Sequence, residues 1–237
     1  MQRAIIITGA SAGIGAATAV ALAKHGHLIL VARREDLLAT VARRVADAGG
    51  EATAIVADIT EPGAPARIAA EADAIAERAD AEIEVLINNA GAFTTAPAAE
   101  ITAEHADKLW KLNLLAPILL TTAVLPALRR HGRGTIINVS SVAAEVPFAG
   151  CGVYSATKAG LEAWSRVLRE ELRRERIRVG VIAPGATATE AWPPGAVGDP
   201  GRVCRPDDIA AAVVSMVTAD VSASIDRLVI TPPLGPL

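Results

Sequence analysis

Short apolar runs recur along the chain at 4–8, 28–31, 53–56, 85–87, 135–139, 179–182 and 228–230, separated by alanine-rich stretches long enough for a helix. The runs are apolar throughout rather than alternately polar, as expected of strands covered on both faces. The stretches between them predict helices at 13–25, 35–48, 64–79, 103–131, 153–175 and 207–219. Regular alternation of this kind specifies an α/β fold, a doubly wound seven-stranded parallel sheet flanked by helices. Right-handed crossovers then bring the C-terminal ends of the strands to one rim, where ligands bind. No linker, repeat or low-complexity segment interrupts the pattern, so 1–237 reads as a single domain.

Composition excludes several partners. Hydrophobic residues make up 51% of 237, enough for a core without metals or disulfides. A net charge of −3 leaves no footprint for nucleic acid, and the basic cluster at 166–178 is interleaved with Glu170, Glu171 and Glu175, a solvated helix face. Cys151 and Cys204 have neither metal-ligand spacing nor a disulfide framework, which points to a reduced, cytoplasmic protein. The first apolar run begins too early for a signal peptide. The segment 112–128 is apolar, but it contains Asn113, Pro117 and Pro126 and is shorter than the ~20 residues of a membrane span. It is expected to be a buried helix, and no membrane partner is expected.

The first run leads straight into Thr8-Gly9-Ala10-Ser11-Ala12-Gly13-Ile14-Gly15, with a helix to follow. Such a turn lets the backbone approach a pyrophosphate, and the helix then offers unsatisfied N–H groups and a positive dipole end. Between a strand and a helix, this is the dinucleotide signature of a Rossmann-type sheet. The second run ends in Val31-Ala32-Arg33-Arg34. NAD enzymes commonly place a carboxylate there for the ribose 2′-hydroxyl. Guanidinium groups instead suit the 2′-phosphate of NADP(H), with Arg33 as the first candidate and Arg34 as a helper. The alternative is a pair of solvated arginines at a helix start. Asp58, closing the third run, suits either an adenine amino group or a helix cap.

The sole tyrosine, Tyr154, precedes Lys158 by four residues, a spacing that puts both on one helix face. An ammonium ~6 Å from a phenol, at an effective dielectric of ~20, favours the phenolate by roughly 2–3 kcal/mol. This predicts a phenol pKa about two units below its usual ~10, within reach of acid–base work. The fifth run ends at Ser140-Ser141, where a hydroxyl can cap a turn or, beside Tyr154, hold a carbonyl oxygen. Pro117 has no N–H for the carbonyl of Asn113, so a helix through both leaves that carbonyl free. No role is assigned to His25, His27, His105 or His131, and Trp110 and Trp164 read as core or interface residues.

Taken in register, these motifs resemble the short-chain dehydrogenase/reductases over nearly the whole chain. They comprise the glycine loop, Asn88-Asn89-Ala90-Gly91, Asn113, the serine, Tyr154-x-x-x-Lys158, and Pro184-Gly185 followed by Thr187 and Thr189. The resemblance implies Asn113, Ser141, Tyr154 and Lys158 as catalytic residues, the family spacing selecting Ser141 over Ser140. Tyr154 would be the acid in reduction and the base in oxidation, Lys158 would also bind the ribose, and Asn113 would hold a water leading to the lysine. It implies cofactor contacts from Gly9, Ser11, Gly13, Ile14, Gly15, Arg33, Arg34, Asp58, Ile59, Asn89, Ala90, Gly91, Tyr154, Lys158, Pro184, Gly185, Thr187 and Thr189. No metal is implied.

The chain departs from many relatives in a short, glycine- and proline-rich lid at 190–205, with Trp192 its large apolar residue, and in a C-terminus without a glycine-rich close. That tail resembles an NADP-dependent carbonyl reductase-like branch. The implied activity is NADPH-dependent reduction of a ketone or aldehyde. The alternatives are an alcohol or hydroxy-acid dehydrogenase working oxidatively and a non-catalytic NADP-sensing regulator. A homodimer or homotetramer is also implied.

Overall fold

The computed structural model describes residues 2–190 and 200–235. Seven parallel strands, β1 (Gln2–Thr8), β2 (His27–Ala32), β3 (Glu51–Val56), β4 (Ala81–Asn88), β5 (Gly134–Val139), β6 (Ile177–Pro184) and β7 (Arg227–Ile230), form one sheet in the order 3-2-1-4-5-6-7. The doubly wound α/β fold read from the sequence is the one observed.

β1 shows why the runs are apolar on both faces. Ala4 and Ile6 enter the layer completed by α3 (Ala64–Arg78), α5 (Ala116–Arg130) and α6 (Gly152–Leu172). Ile5 and Ile7 enter the layer completed by α1 (Gly13–Ala21), α2 (Glu35–Asp47) and α7 (Pro206–Thr218). Successive side chains point to opposite faces of a strand, so a strand between two helical layers needs an apolar residue at every position. Strand order reverses between β1 and β4. The chain therefore leaves their C-terminal ends towards opposite layers, and a crevice opens above them.

The expected helix over 103–131 is divided. α4 (Ala103–Trp110) gives way to a wide π turn, Lys111–Leu115, before α5 begins. The N–H of Ala116 bonds to the Lys111 carbonyl five residues back, immediately before Pro117, which has no N–H to give. The run Ala103–Arg130 is long and apolar enough to cross a membrane, yet half of its most apolar window is buried within the fold.

Candidate active site

A cleft of about 1060 Å³ runs along the crevice. Its floor at one end is the glycine loop. A side chain at Gly15 would put its Cβ 2.3 Å from the Gly9 carbonyl oxygen, and Gly9 itself has φ +66°, so the tight turn requires glycine at both positions. Thr8 and Asn89 lock the loop to the end of β4. The Thr8 hydroxyl accepts from the amides of Asn89 and Ala90, both at 3.0 Å, while the Asn89 side-chain amide donates to the Thr8 carbonyl at 2.9 Å. α1 starts at Gly13 without a side-chain cap, so its first amides face the cleft unclaimed by a side chain.

Arg33 and Arg34 flank this end. Arg33 Nη1 lies 3.4 Å from Asp58 Oδ2. Arg34 donates to the Ser11 hydroxyl at 3.2 Å and reaches Glu190 at 3.1 Å, spanning the cleft mouth. Asp58 does not cap the next helix, whose N-cap is Gly63. Its Oδ1 instead accepts from the amide and hydroxyl of Thr60, at 2.9 and 2.6 Å. Burial opposes ionisation of Asp58, but the two Thr60 hydrogen bonds and the Arg33 charge outweigh it and hold the carboxyl below its ordinary value.

At the other end, α6 carries Tyr154 and Lys158 into the cleft. Lys158 Nζ lies 5.8 Å from the centroid of the Tyr154 ring and donates to the Val139 carbonyl at 2.8 Å. Ser141, just beyond β5, is hydrogen-bonded side chain to side chain with Tyr154. Ser140 also borders the cleft, but it is buried and its hydroxyl donates to the Lys158 carbonyl at 3.5 Å. The expected lowering of the phenol's pKa is not found. Burial pushes it above the ordinary value and the Cys151 thiol adds to that, against the hydrogen bond with Ser141. Burial also pulls the Lys158 ammonium down to about 8, against the charge of Glu162.

The short chain dehydrogenase family profile matches residues 3–195. The chain belongs to the short-chain dehydrogenase/reductase family. It is 36% identical to an uncharacterized oxidoreductase of Methylorubrum extorquens over 232 residues, covering 91% of this chain and 90% of the relative. A serine 3-dehydrogenase of Agrobacterium fabrum is also 36% identical, over 80% of this chain and 74% of its own. Among solved structures, a metagenomic short-chain oxidoreductase in complex with NADP superposes with a TM-score of 0.83 at 33% identity, covering 97% and 96% of the two chains.

In this short-chain dehydrogenase/reductase the residues singled out from the sequence converge on one cleft, with three exceptions. Gly15 lies beneath the loop, as described. Asn113 is fully buried, and its side chain clamps both backbone groups of Ala92 at 2.9 Å, holding the loop after β4. Trp192, with the rest of 191–199, lies outside the described residues. Of the lid's far side, Pro200–Arg202 form a single 3₁₀ turn, and Cys204 exchanges backbone hydrogen bonds with Ala186 and Ala188. Thr187 lines the cleft, but its hydroxyl donates to the Gly185 carbonyl at 3.0 Å. The Cβ position of Gly13 is 3.1 Å from the Thr189 methyl, so the segment after β6 closes over the glycine loop.

Sequence reasoning missed Phe93, whose ring meets Tyr154 edge-on with centroids 5.0 Å apart, and also Phe148, Leu112 and Val142, which line the same cleft. Asn88, expected from the family resemblance to support the central strands, does so through a buried amide network whose partners the sequence did not indicate. The Asn88 amide donates to Asn138 at 2.8 Å and to Thr121 at 3.0 Å, and Asn138 donates to Ser165 at 2.8 Å. Nothing in a lone asparagine signals such a network, because its partners come from four separate elements.

Proposed function

We propose that the enzyme is an NADP(H)-dependent carbonyl reductase, with Ser141, Tyr154 and Lys158 acting on a ketone or aldehyde and Asn113 holding the loop beside them. The observation that carries this is the cluster of Tyr154, Ser141 and Lys158 in one cleft with an uncapped helix N-terminus and two arginines. The residues fit the cofactor. The glycine cradle admits no Cβ, α1 offers amides to a pyrophosphate, and Arg33 and Arg34 suit a 2′-phosphate. Asp58 and Ile59 would hold the adenine, Asn89, Ala90 and Gly91 the adenosine side, and Pro184, Gly185, Thr187 and Thr189 the nicotinamide. When bound, NADPH supplies the hydride.

The chain's own part is proton delivery and orientation. Ser141 and Tyr154 hydroxyls hold the carbonyl oxygen, and Tyr154 gives it a proton. The raised pKa keeps the phenol protonated, the form that donates in reduction. Lys158, charged below pH about 8, favours the phenolate left behind. The same proposal takes 1–237 as one catalytic unit, a homo-oligomer located in the cytoplasm. Two buried free cysteines among the described residues support that location.

NADPH consumption against a panel of aldehydes, ketones, quinones and hydroxy acids tests the reading. Tyr154→Phe should keep NADPH binding, followed by fluorescence, and lose most turnover. Lys158→Ala should damage both. Near-full activity of Tyr154→Phe on the best substrate would refute the mechanism.

A further inference from the structure

One helical turn beyond Lys158 on α6 stands a carboxylate that the proposed chemistry does not use. Glu162 is 3% exposed and Lys158 is 5% exposed, so both are withdrawn from water. Groups four residues apart on a helix are neighbours, and the charge acting on the lysine is that of Glu162. Glu162 is itself held from the edge strand of the sheet. Its Oε2 accepts from Arg227 Nε on β7 at 3.1 Å, while Oε1 takes no hydrogen bond among the described residues. Arg227 is therefore not a closed bidentate partner, and its Nη2 turns to Glu145 at 3.0 Å. Glu145 caps the 3₁₀ turn Val142–Ala144 that follows Ser141. Two carboxylates and two cations alternate from the Ser141 loop to the lysine: Glu145, Arg227, Glu162, Lys158.

We propose that Glu162 is a positioning residue, whose buried carboxylate, anchored by Arg227, holds Lys158 in its ammonium form beside Tyr154. Arg227 also ties the Ser141 loop, through Glu145, to the same anchor. The inference rests on the reading of Lys158 as part of the active site. A buried ammonium whose hydrogen-bond partner among the described residues is one carbonyl loses its proton readily, and an adjacent buried carboxylate counters that loss. The titratable and charged groups around Lys158 and Glu162 are Tyr154 on α6, Arg227 on β7, Glu145 after the Ser141 loop, and the Cys151 thiol beside Tyr154.

The test is a pH titration of Lys158 by NMR with ¹³Cε-labelled lysine, which the chain's four lysines make assignable, in wild type, Glu162→Gln and Glu162→Asp. Glutamine keeps the acceptor for Arg227 and removes the charge. The Lys158 midpoint should fall by roughly one to two pH units in Glu162→Gln, and by less in Glu162→Asp, where the charge retracts by one methylene. The alkaline limb of kcat/KM for reduction should move with it, with a loss on the order of tenfold at pH 9 and little change at pH 6. An unmoved Lys158 midpoint in either folded variant overturns the proposal, whatever the kinetics. Full activity of Lys158→Ala would instead overturn the reading of the site while leaving the NMR result standing.

Discussion

Lys158 shows how function and stability oppose each other at a single residue. Burial lowers its pKa from 10.5 to about 8, so the folded chain binds fewer protons there than the unfolded chain between those values. A depressed lysine pKa weakens the fold below pH about 8, and that penalty is relieved as pH rises towards 10.5. By linkage the full penalty is on the order of 3 kcal/mol. Lys158→Met removes it but leaves the Val139 carbonyl without its donor, which offsets about 1 kcal/mol. The variant should thus be inactive yet more stable than wild type by about 2 kcal/mol at pH 7. That advantage should shrink steadily between pH 8 and 10. Urea unfolding of both proteins across this range checks it, since other titrating groups cancel in the difference. An advantage that grew with pH would mean that the lysine is not the strained group.

At the scale of elements, the pieces legible in the sequence were those whose chemistry is local. The glycine loop, the strand-end arginines and the Tyr154–Lys158 spacing each lie within a few residues, so pattern and sterics suffice. What was missed depends on partners far along the chain. The first half of β4 reads as polar because of Glu82 and Glu84. It is nevertheless strand, because His131 bonds Glu82 at 2.9 Å while Arg3 and Arg133 neutralise Glu84 at 3.1 and 2.7 Å. Pro117 signals a disturbed helix but not a π turn, and nothing local to Glu162 announces Arg227, which lies 65 residues along the chain. The phenol's pKa was misjudged because the charge of Lys158 was counted and the burial of the ring was not. Cofactor choice belongs to the β2 terminus and tests its local reading. Ala32→Asp with Arg33→Ser removes one guanidinium and adds a charge that repels a 2′-phosphate. Charge-assisted hydrogen bonds of about 1.5–3 kcal/mol predict a shift of roughly ten- to a hundredfold or more towards NADH in the ratio of kcat/KM values. Wild-type enzyme using both cofactors equally would sink the Arg33 assignment.

At the scale of the whole molecule, part of the uncovered apolar surface lies on the helical stretch from α4 to α5 and on α6. Trp110 on α4 is 53% exposed and Val167 on α6 is 58% exposed, with Leu115 and Leu119 also uncovered between and beyond them. α6 packs against α4 and against the π turn that carries Leu115. The expected homo-oligomer would cover these side chains. A second copy related by a twofold axis is the economical choice, since each residue then appears twice in the interface. That doubling sets the size of the test. Glutamate at a buried apolar position costs about 1–3 kcal/mol per copy, so Leu119→Glu with Val167→Glu should weaken association by well over a hundredfold. Wild type should sediment as a dimer or tetramer at about 10 μM, and the double variant as a folded monomer with unchanged NADPH binding. Wild type that is monomeric at that concentration removes the oligomer. If that monomer also floats with liposomes, the same helices serve a membrane surface instead.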